Sequence, residues 1–379
     1  MAQTNDTSTD NVDRAALIHR ENIQIGVLIL IAVGAFLLTR AFANSNRDMT
    51  LRDAAEWHRR GQQALAAGRI DDAVEDFHRA TVRNRFEKRY VLDLARALRS
   101  TGENDEARAA LLTLRESAPE DPDINLELAR LDADRQDVTE AVRFYHNALY
   151  APWPAEREGE RRRIRLELIR FLLSHDQAGR ALSELLAVSA DVPDDVPTLL
   201  EIGRLFAAAG DPRHALGQFQ RAVRAAPENR DALVGAGQAA FSLGDYSLAR
   251  RYLRAAPVQS DAVDELRSVV DLVLSRDPLA SRIGSAERRQ RLVSNFEYAE
   301  RRLEGCIAGA DPGGSALRNE ALEFENSLKT PAAFEPDTIE LGVDLVDRIQ
   351  QWTTRQCGPA TVLDRALMLI GHRHRGRES

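Results

Sequence analysis

The segment WHRRGQQALAAGRIDDAVEDFHRA, residues 57–80, decides the fold of this chain. Gly61 and Ala73 are small, which lets two antiparallel helices approach closely, and Phe77 supplies the bulk that fills the space beside them. Gly68 stands between the two halves, where a glycine ends a helix in the left-handed conformation. The segment therefore predicts one helix-turn-helix unit.

The same pattern recurs with a period of 34 residues. Such a period is typical of a helical repeat protein, in which each unit buries its apolar face against the next. An insertion, Glu156–Arg161, separates two sets of three blocks. The six blocks begin at Ala54, Lys88, Pro122, Arg162, Val196 and Arg230, and position 20 of each is Ala: Ala73, Ala107, Ala141, Ala181, Ala215 and Ala249.

These blocks resemble the tetratricopeptide repeat (TPR) family over about residues 54–263. The best match is Trp57-x3-Gly61-x11-Ala73-x3-Phe77-x2-Ala80. The resemblance implies an all-α chain whose centre is a TPR α-solenoid of about six helix-turn-helix repeats. It further implies that the first helix of each repeat lines a concave peptide-binding groove. It implies no catalytic chemistry.

The first helices carry basic side chains at position 9, which faces the groove in the family. There the arginines would hold carboxylates or phosphates of an acidic partner. The alternative is structural, because an acid stands three residues before each Arg and another stands in the next repeat. Position 5 adds an apolar stripe that favours a helix or an extended peptide as the ligand. The candidate groove residues are Gln62, Arg96, Arg130, Arg170, Arg204 and Gln238, with Leu92, Leu126, Leu166 and Leu200.

Residues 23–39 contain no charged residue, and Arg40 is followed by Ala41-Phe42-Ala43. Since about 20 apolar residues cross the hydrocarbon core of a bilayer, we predict a transmembrane helix over residues 23–43. The polar residues 1–22 before it are expected to form a disordered tail. The alternative is a cleaved signal peptide, because the small-x-small sequence after Arg40 fits a cleavage site.

The charges that flank the apolar segment barely decide the membrane side, and they lean weakly toward a cytoplasmic location of the bulk. A long carboxyl-terminal domain, however, translocates largely regardless of them. The export-like Ala-x-Ala sequence also favours the outside. We therefore expect a single-pass protein of a bacterial inner membrane with its bulk extracytoplasmic, in the periplasm, rather than cytoplasmic.

Residues 264–379 do not continue the period, and we interpret them as a helical region that covers the open end of the last repeat. A loop is expected over Ala308–Gly314, which contains Asp-Pro-Gly-Gly. Helices are expected near Ala262–Ser275, Ser285–Cys306, Ser315–Lys329, Asp337–Gln356 and Pro359–His372.

This region also holds both cysteines, Cys306 and Cys357. In an exported protein they would form a disulfide, whereas the alternative is two unrelated thiols. The sequence His372-Arg373-His374 is expected to lie in a disordered basic tail rather than to bind a metal.

The net charge of −8 gives no electrostatic footprint for nucleic acid. The sequence contains no zinc-ligand, phosphate-loop or nucleophile motif. We therefore expect no enzyme, no cofactor, no metal site and no small-molecule substrate. The expected function is that of a membrane-tethered scaffold or adaptor that binds protein or peptide partners in its groove. The alternatives are a permanent structural subunit of a membrane protein complex and an enzyme in residues 264–379.

Overall fold

The computed structural model describes residues 7–190, 193–257, 260–307, 312–329 and 335–375, with side chains from Leu28 onward. Within those ranges the regular secondary structure is entirely helical, as the sequence predicts. The chain divides into two compact units, Met1–Arg165 and Leu166–Ser379. The division falls within one helix, α7.

Unit 1 consists of antiparallel helix pairs that follow the repeat. Aspartates accept hydrogen bonds from backbone N–H groups at the start of α5 and α6 and so cap these helices. A short 3₁₀ turn, Ala155–Arg157, precedes α7. The helices are α1 (Thr7–Ala66), α2 (Ile70–Arg83), α3 (Lys88–Thr101), α4 (Asn104–Ser117), α5 (Pro122–Asp134), α6 (Val138–Leu149) and α7 (Glu158–Ser174).

Helix α1 is longer than the sequence analysis expected. It begins at Thr7, within the expected disordered tail, and continues without a break through residues 23–43 into the first repeat. Residues 1–6 lie outside the described residues. The physical reason is that extending a helix costs little once it has nucleated, and no proline precedes Pro119 to stop it.

The start of α5 is fixed by charged hydrogen bonds. The carboxylate of Asp123 accepts from the Lys88 ammonium at 2.7 Å and from the Arg157 guanidinium at 2.6 Å. Burial alone would raise the pKa of Asp123, but the hydrogen bonds and charges of Arg157 and Lys88 outweigh it and hold the pKa below its usual value.

Unit 2 joins the last repeats and the carboxyl-terminal helices in one hydrophobic core. Leu253 of the last repeat packs in the same buried cluster as Phe296, Ile349 and Leu367. The carboxyl-terminal helices thus cover the last repeat. After the part of α7 that lies in this unit, the helices are α8 (Ala178–Ser189), α9 (Val196–Ala208), α10 (Pro212–Ala225), α11 (Arg230–Ser242), α12 (Tyr246–Ala255), α13 (Asp261–Arg276), α14 (Ser285–Cys306), α15 (Pro312–Ser327), α16 (Pro336–Cys357) and α17 (Val362–Arg375).

Each repeat turns through a left-handed residue at position 15. Four of these residues are the glycines that the sequence identified: Gly68, Gly102, Gly210 and Gly244. The other two are Gln136 and Asp176, with φ of 61° and 57°. A side chain in this region is strained, so the turn is imposed by the packing of the two helices rather than by the residue.

Close helix approach at position 8 is confirmed. An ideal Cβ built on Gly61 would lie 2.6 Å from the ring of Phe77, and one on Gly203 would lie 2.8 Å from the ring of Phe219. Both distances are shorter than a Cβ tolerates. The small residue at position 8 and the bulky residue at position 24 therefore contact each other within one repeat.

Two expectations for the carboxyl-terminal region were wrong. Gly314 belongs to α15, which begins at Pro312, rather than to a loop. Its bare Cα faces Trp352, whose ring would lie 2.8 Å from a Cβ there. Residues 308–311 of that expected loop lie outside the described residues. The sequence 372–374 belongs to α17, not to a disordered tail: His374 contacts the buried carboxylate of Asp277 at 3.1 Å.

The last described residue of α17 is also held. Arg375 forms an ion pair with Asp344 at 3.0 Å and another with the buried carboxylate of Asp347. Burial is the dominant influence on Asp347 and raises its pKa, against the opposing effects of Gln351 and Arg375. The end of the helix is therefore fixed by acids from helices that the sequence could not place beside it.

Candidate functional site

The first helices of unit 1 bring Arg96 and Arg130 onto one buried carboxylate. The Glu127 side chain is 3% exposed, and it accepts a hydrogen bond from Arg96 at 2.8 Å and another from Arg130 at 3.2 Å. Asp93 accepts from Arg96 as well, at 3.1 Å. In these contacts Arg96 and Arg130 pair with acids of the protein itself, which is the structural alternative to binding the carboxylates of a partner.

The Arg96 guanidinium is held in its charged form. Burial by itself would lower the pKa of Arg96, but the charges and hydrogen bonds of Glu127 and Asp93 outweigh burial and raise it. A partner carboxylate at this point would have to compete with two acids of the protein itself. The Arg96 side chain is nevertheless half exposed, so it stays accessible from one side.

The arginines of unit 2 pair from one repeat to the next. Arg170 forms an ion pair with Glu201, and Arg204 forms one with Asp231 at 2.5 Å. Both pairs are exposed, and exposed pairs stabilise a protein by only about 0.2–1 kcal/mol. An acidic ligand could therefore replace Asp231 as the partner of Arg204 at little cost in stability.

The remaining candidate residues divide into buried and exposed sets. Gln62 and Gln238 are exposed. The four leucines of position 5 are buried rather than open to a groove. They stabilise the packing and leave little apolar surface open: Leu92, Leu126, Leu166 and Leu200 are 5–8% exposed.

An open apolar cavity of about 510 Å³ lies in unit 2, between α11, α13 and α17. Its wall is largely hydrophobic, and the Arg365–Glu265 ion pair lies at it. The repeat period does not predict this cavity, because nothing in the period places α17 beside α13. The sequence feature that could have indicated the cavity is the spacing of the apolar residues along α17. The cavity is lined chiefly by Phe241, Ala262, Leu266, Val269, Met368 and Leu369.

A smaller cavity of about 160 Å³ shares α11 and α13 with it and is also lined by residues of α9 and α10. Arg204, Asp231 and Gln238 line it, so it includes two of the candidate groove residues. Val263 lines the smaller cavity and Ala262 the larger, which makes the two neighbours at the first turn of α13. The first-helix face of unit 2 thus offers a polar depression next to an apolar one.

Cys306 and Cys357 lie at the carboxyl ends of α14 and α16. The structure pairs them as a disulfide, with their Cα atoms 5.7 Å apart. That separation is typical of a bonded pair. Among the residues with described side chains, no group of three or more His, Cys, Asp or Glu is arranged to hold a metal ion.

The antiparallel helix pairs and their 34-residue period define a class of helical repeat protein. The tetratricopeptide repeat family model matches residues 58–122, 92–157 and 200–264. Residues 58–157 and 200–264 therefore consist of tetratricopeptide repeats. A search of curated protein sequences returned no match.

Several solved structures are similar to the chain. The carboxyl-terminal part of a TPR repeat-containing protein from Cytophaga hutchinsonii is 13% identical, with 75% of this chain and 98% of that chain covered and a TM-score of 0.43. A tetratricopeptide repeat protein from Parabacteroides merdae is 12% identical, with 78% and 99% covered and a TM-score of 0.38. YrrB, described as a TPR protein with an unusual peptide-binding site, is 20% identical, with 48% and 91% covered and a TM-score of 0.38.

Proposed function

We propose that this protein is a membrane-tethered scaffold that binds a partner protein or peptide on the first-helix face of unit 2. The observation that carries the proposal is the apolar cavity between α11, α13 and α17. Its volume of about 510 Å³ is enough to receive one or more large apolar side chains. An open apolar cavity beside exposed polar groups is the usual form of a peptide-anchoring site.

The charges beside the cavity favour an acidic partner. Arg204 and Arg230 line the smaller cavity against one acid, Asp231. Because the Arg204–Asp231 pair is exposed, a ligand carboxylate could take the place of Asp231. We propose a peptide with an apolar anchor in the larger cavity and an acidic residue toward Arg204. The arginines of unit 1, which share a buried carboxylate, contribute less.

The test is a cross-linked purification from native membranes with two matched variants. Ala262 lines the cavity and is exposed, so Ala262→Trp should fill the cavity without disturbing the core. Leu186 lies on a second helix, α8, and is 47% exposed, so Leu186→Trp adds a similar ring elsewhere. We expect the partner to be lost with Ala262→Trp and kept with Leu186→Trp, at equal melting temperatures. Equal recovery with both variants would contradict the proposal.

The tether is proposed for α1. By length and composition its segment Leu28–Ala66 is able to cross a membrane, with a mean hydropathy of 1.7 over the most apolar window. Leu30, Leu38 and Phe42 are 73–76% exposed, which would be unfavourable in water. Resistance of the protein to alkaline carbonate extraction would support the tether. Release by carbonate, or a mature chain that starts after Ala43, would contradict it.

We propose that the bulk of the chain is extracytoplasmic. The Cys306–Cys357 pairing supports this side, since disulfides persist in oxidising compartments. Carboxyl-terminal fusions to a reporter that is active only in the periplasm and to one that is active only in the cytoplasm would decide the side. We propose no catalytic activity and no cofactor. That part of the proposal rests on the family and on the sequence, which offers no assembled set of reactive groups.

A further inference from the structure

The end of unit 1 nearest the membrane segment carries exposed apolar and basic side chains. Helix α2 runs back along α1, since the Arg79 guanidinium lies 4.5 Å from the Trp57 ring and Arg83 contacts Asp53. The α2–α3 turn therefore points toward the membrane segment of α1. We call this surface the membrane-proximal edge; it consists of Met49, Val82, Arg83, Arg85, Phe86 and Arg89.

Apolar side chains on this edge have no cover from the protein. Met49, Val82 and Phe86 are 64%, 70% and 62% exposed. The Arg85 guanidinium lies 4.7 Å from the Phe86 ring, which places a cation directly beside an exposed aromatic side chain. This combination is typical of side chains that enter the interfacial layer of a bilayer.

The continuity of α1 sets the height of the edge above the bilayer. Asp53 follows Ala43 by ten residues, which corresponds to about 15 Å along the helix. Arg83 lies 3.9 Å from Asp53, and Met49 is one turn nearer the membrane on the same side of α1. The polar layer extends about 5–8 Å beyond the hydrocarbon core. Met49 thus stands about 9 Å above the hydrocarbon core, near the outer limit of this layer, and an ordinary helix tilt of about 20° toward α2 lowers the α2 side by about 3 Å.

The charge of the edge is opposite to that of the whole chain. The chain has a net charge of −8, whereas residues 79–90 contain one acid, Glu87, against five basic residues. Within the part of the chain whose side chains are described, the ion pairs include none for Arg85 or Arg89. The basic residues are Arg79, Arg83, Arg85, Lys88 and Arg89.

The neighbouring acids cancel part of this charge, because Glu75 pairs with Arg79 and Asp53 pairs with Arg83. Asp121 and Asp123 follow the next turn of unit 1, and both accept hydrogen bonds from Lys88, at 2.8 and 2.7 Å. Asp123 also pairs with Arg157. The carboxylates are thus neutralised by Lys88 and Arg157, which leaves Arg85 and Arg89 available to an external anion.

We propose that the membrane-proximal edge rests on the anionic phospholipid surface of the bilayer that α1 crosses. Met49 and Phe86 lie nearest the interfacial layer, and the guanidinium groups of Arg85 and Arg89 attract lipid phosphates, an attraction that acts within about 8–10 Å. This inference rests on the proposed tether, because α1 must span the bilayer for the edge to reach it. The contact fixes how unit 1 stands on the membrane.

The test is hydrogen exchange of the full-length chain in nanodiscs. One set contains phosphatidylcholine alone, and the other contains equal amounts of phosphatidylcholine and phosphatidylglycerol. We expect the backbone amides of residues 84–89 to exchange about fivefold more slowly in the anionic discs, because contact with the surface suppresses local opening. Equal exchange in the two lipids would overturn the proposal and leave the edge free for a protein partner.

Matched double variants separate this contact from a general effect of charge. Arg85→Glu with Phe86→Ser should abolish the lipid-dependent protection. Arg69→Glu with Leu65→Ser makes the same change at the opposite turn of the α1–α2 pair, where Leu65 is 46% exposed, and should keep it. Loss of protection in both variants would overturn the proposal. A chain that fails to enter nanodiscs would overturn the tether itself, a result that is distinct from insertion without protection.

Discussion

The packing of Phe219 against glycine gives a prediction with a built-in control. Gly203 of α9 and Gly217 of α10 belong to the same repeat, and both lie inside helices. An ideal Cβ at Gly203 would lie 2.8 Å from Cε1 of Phe219, whereas one at Gly217 would meet nothing within 4 Å. The variants Gly203→Ala and Gly217→Ala therefore make the same chemical change in a crowded site and in an open one.

The two variants should shift the free energy of unfolding in opposite directions. Replacing Gly by Ala inside a helix stabilises it by about 0.5–1 kcal/mol, and this gain applies to both variants. At Gly203 the new methyl group also overpacks the core, which costs about 1–3 kcal/mol. The ring cannot easily retreat, because the same edge of Phe219 would lie 2.5 Å from a Cβ at Gly235.

The propensity gain cancels in the comparison, so Gly203→Ala should be less stable than Gly217→Ala by about 1–3 kcal/mol. The assay is urea unfolding of the full-length chain in detergent, followed by circular dichroism, with wild type and both variants in parallel. Equal midpoints for the two variants would refute the reasoning. That result would mean that Phe219 moves aside freely and that close approach does not require glycine at position 8.

Four further predictions follow from the fold. Gln136→Gly relieves a left-handed side chain and should raise the unfolding free energy by about 1 kcal/mol, measured by urea unfolding. Asp123→Asn should destabilise the protein by about 1.5–3 kcal/mol at neutral pH; since the pKa of Asp123 is lowered, its contribution is lost as the pH falls, so the two unfolding curves should converge in acid. The pKa of Asp347 is raised, so the fold is stabilised by its protonated form. The melting temperature of Asp347→Asn should therefore increase relative to that of wild type as the pH rises toward neutral, measured in a pH series. Replacing Cys306 and Cys357 by Ser should lower the unfolding free energy by about 2–4 kcal/mol, and a reducing agent should do the same to wild type and nothing to the variant.

The sequence predicted the repeat unit well because its determinants are local. Position 8 and position 20 must be small for two adjacent helices to approach, and position 15 must adopt a left-handed conformation. Such requirements restrict residue types at fixed spacing. The left-handed conformations of Gln136 and Asp176 were not predicted, because the packing of the helices imposes the same turn there without the usual glycine.

The candidate site was harder to predict because it depends on contacts distant in sequence. Phe241 and Leu369 line one cavity although 128 positions separate them, and no period links α11 to α17. The partners of the arginines were also open, since an acid three residues earlier and one in the next repeat fit the spacing equally well. In unit 2 the structure pairs Arg204 with an acid of the next repeat, Asp231. The domain limits 54–263 and 264–379 stay a prediction.

Helix α1 has a rotational consequence because it contains no joint between residues 23–43 and the first repeat. A continuous α-helix transmits rotation about its axis, so any rotation of residues 23–43 turns unit 1 through the same angle. One alanine inserted between Ala43 and Ala54 would swing unit 1 by about 100° around that axis while lifting it by only about 1.5 Å. With residues 23–43 as the proposed membrane tether, the helical phase of the segment after them, more than its length, sets the direction in which unit 1 faces along the membrane plane.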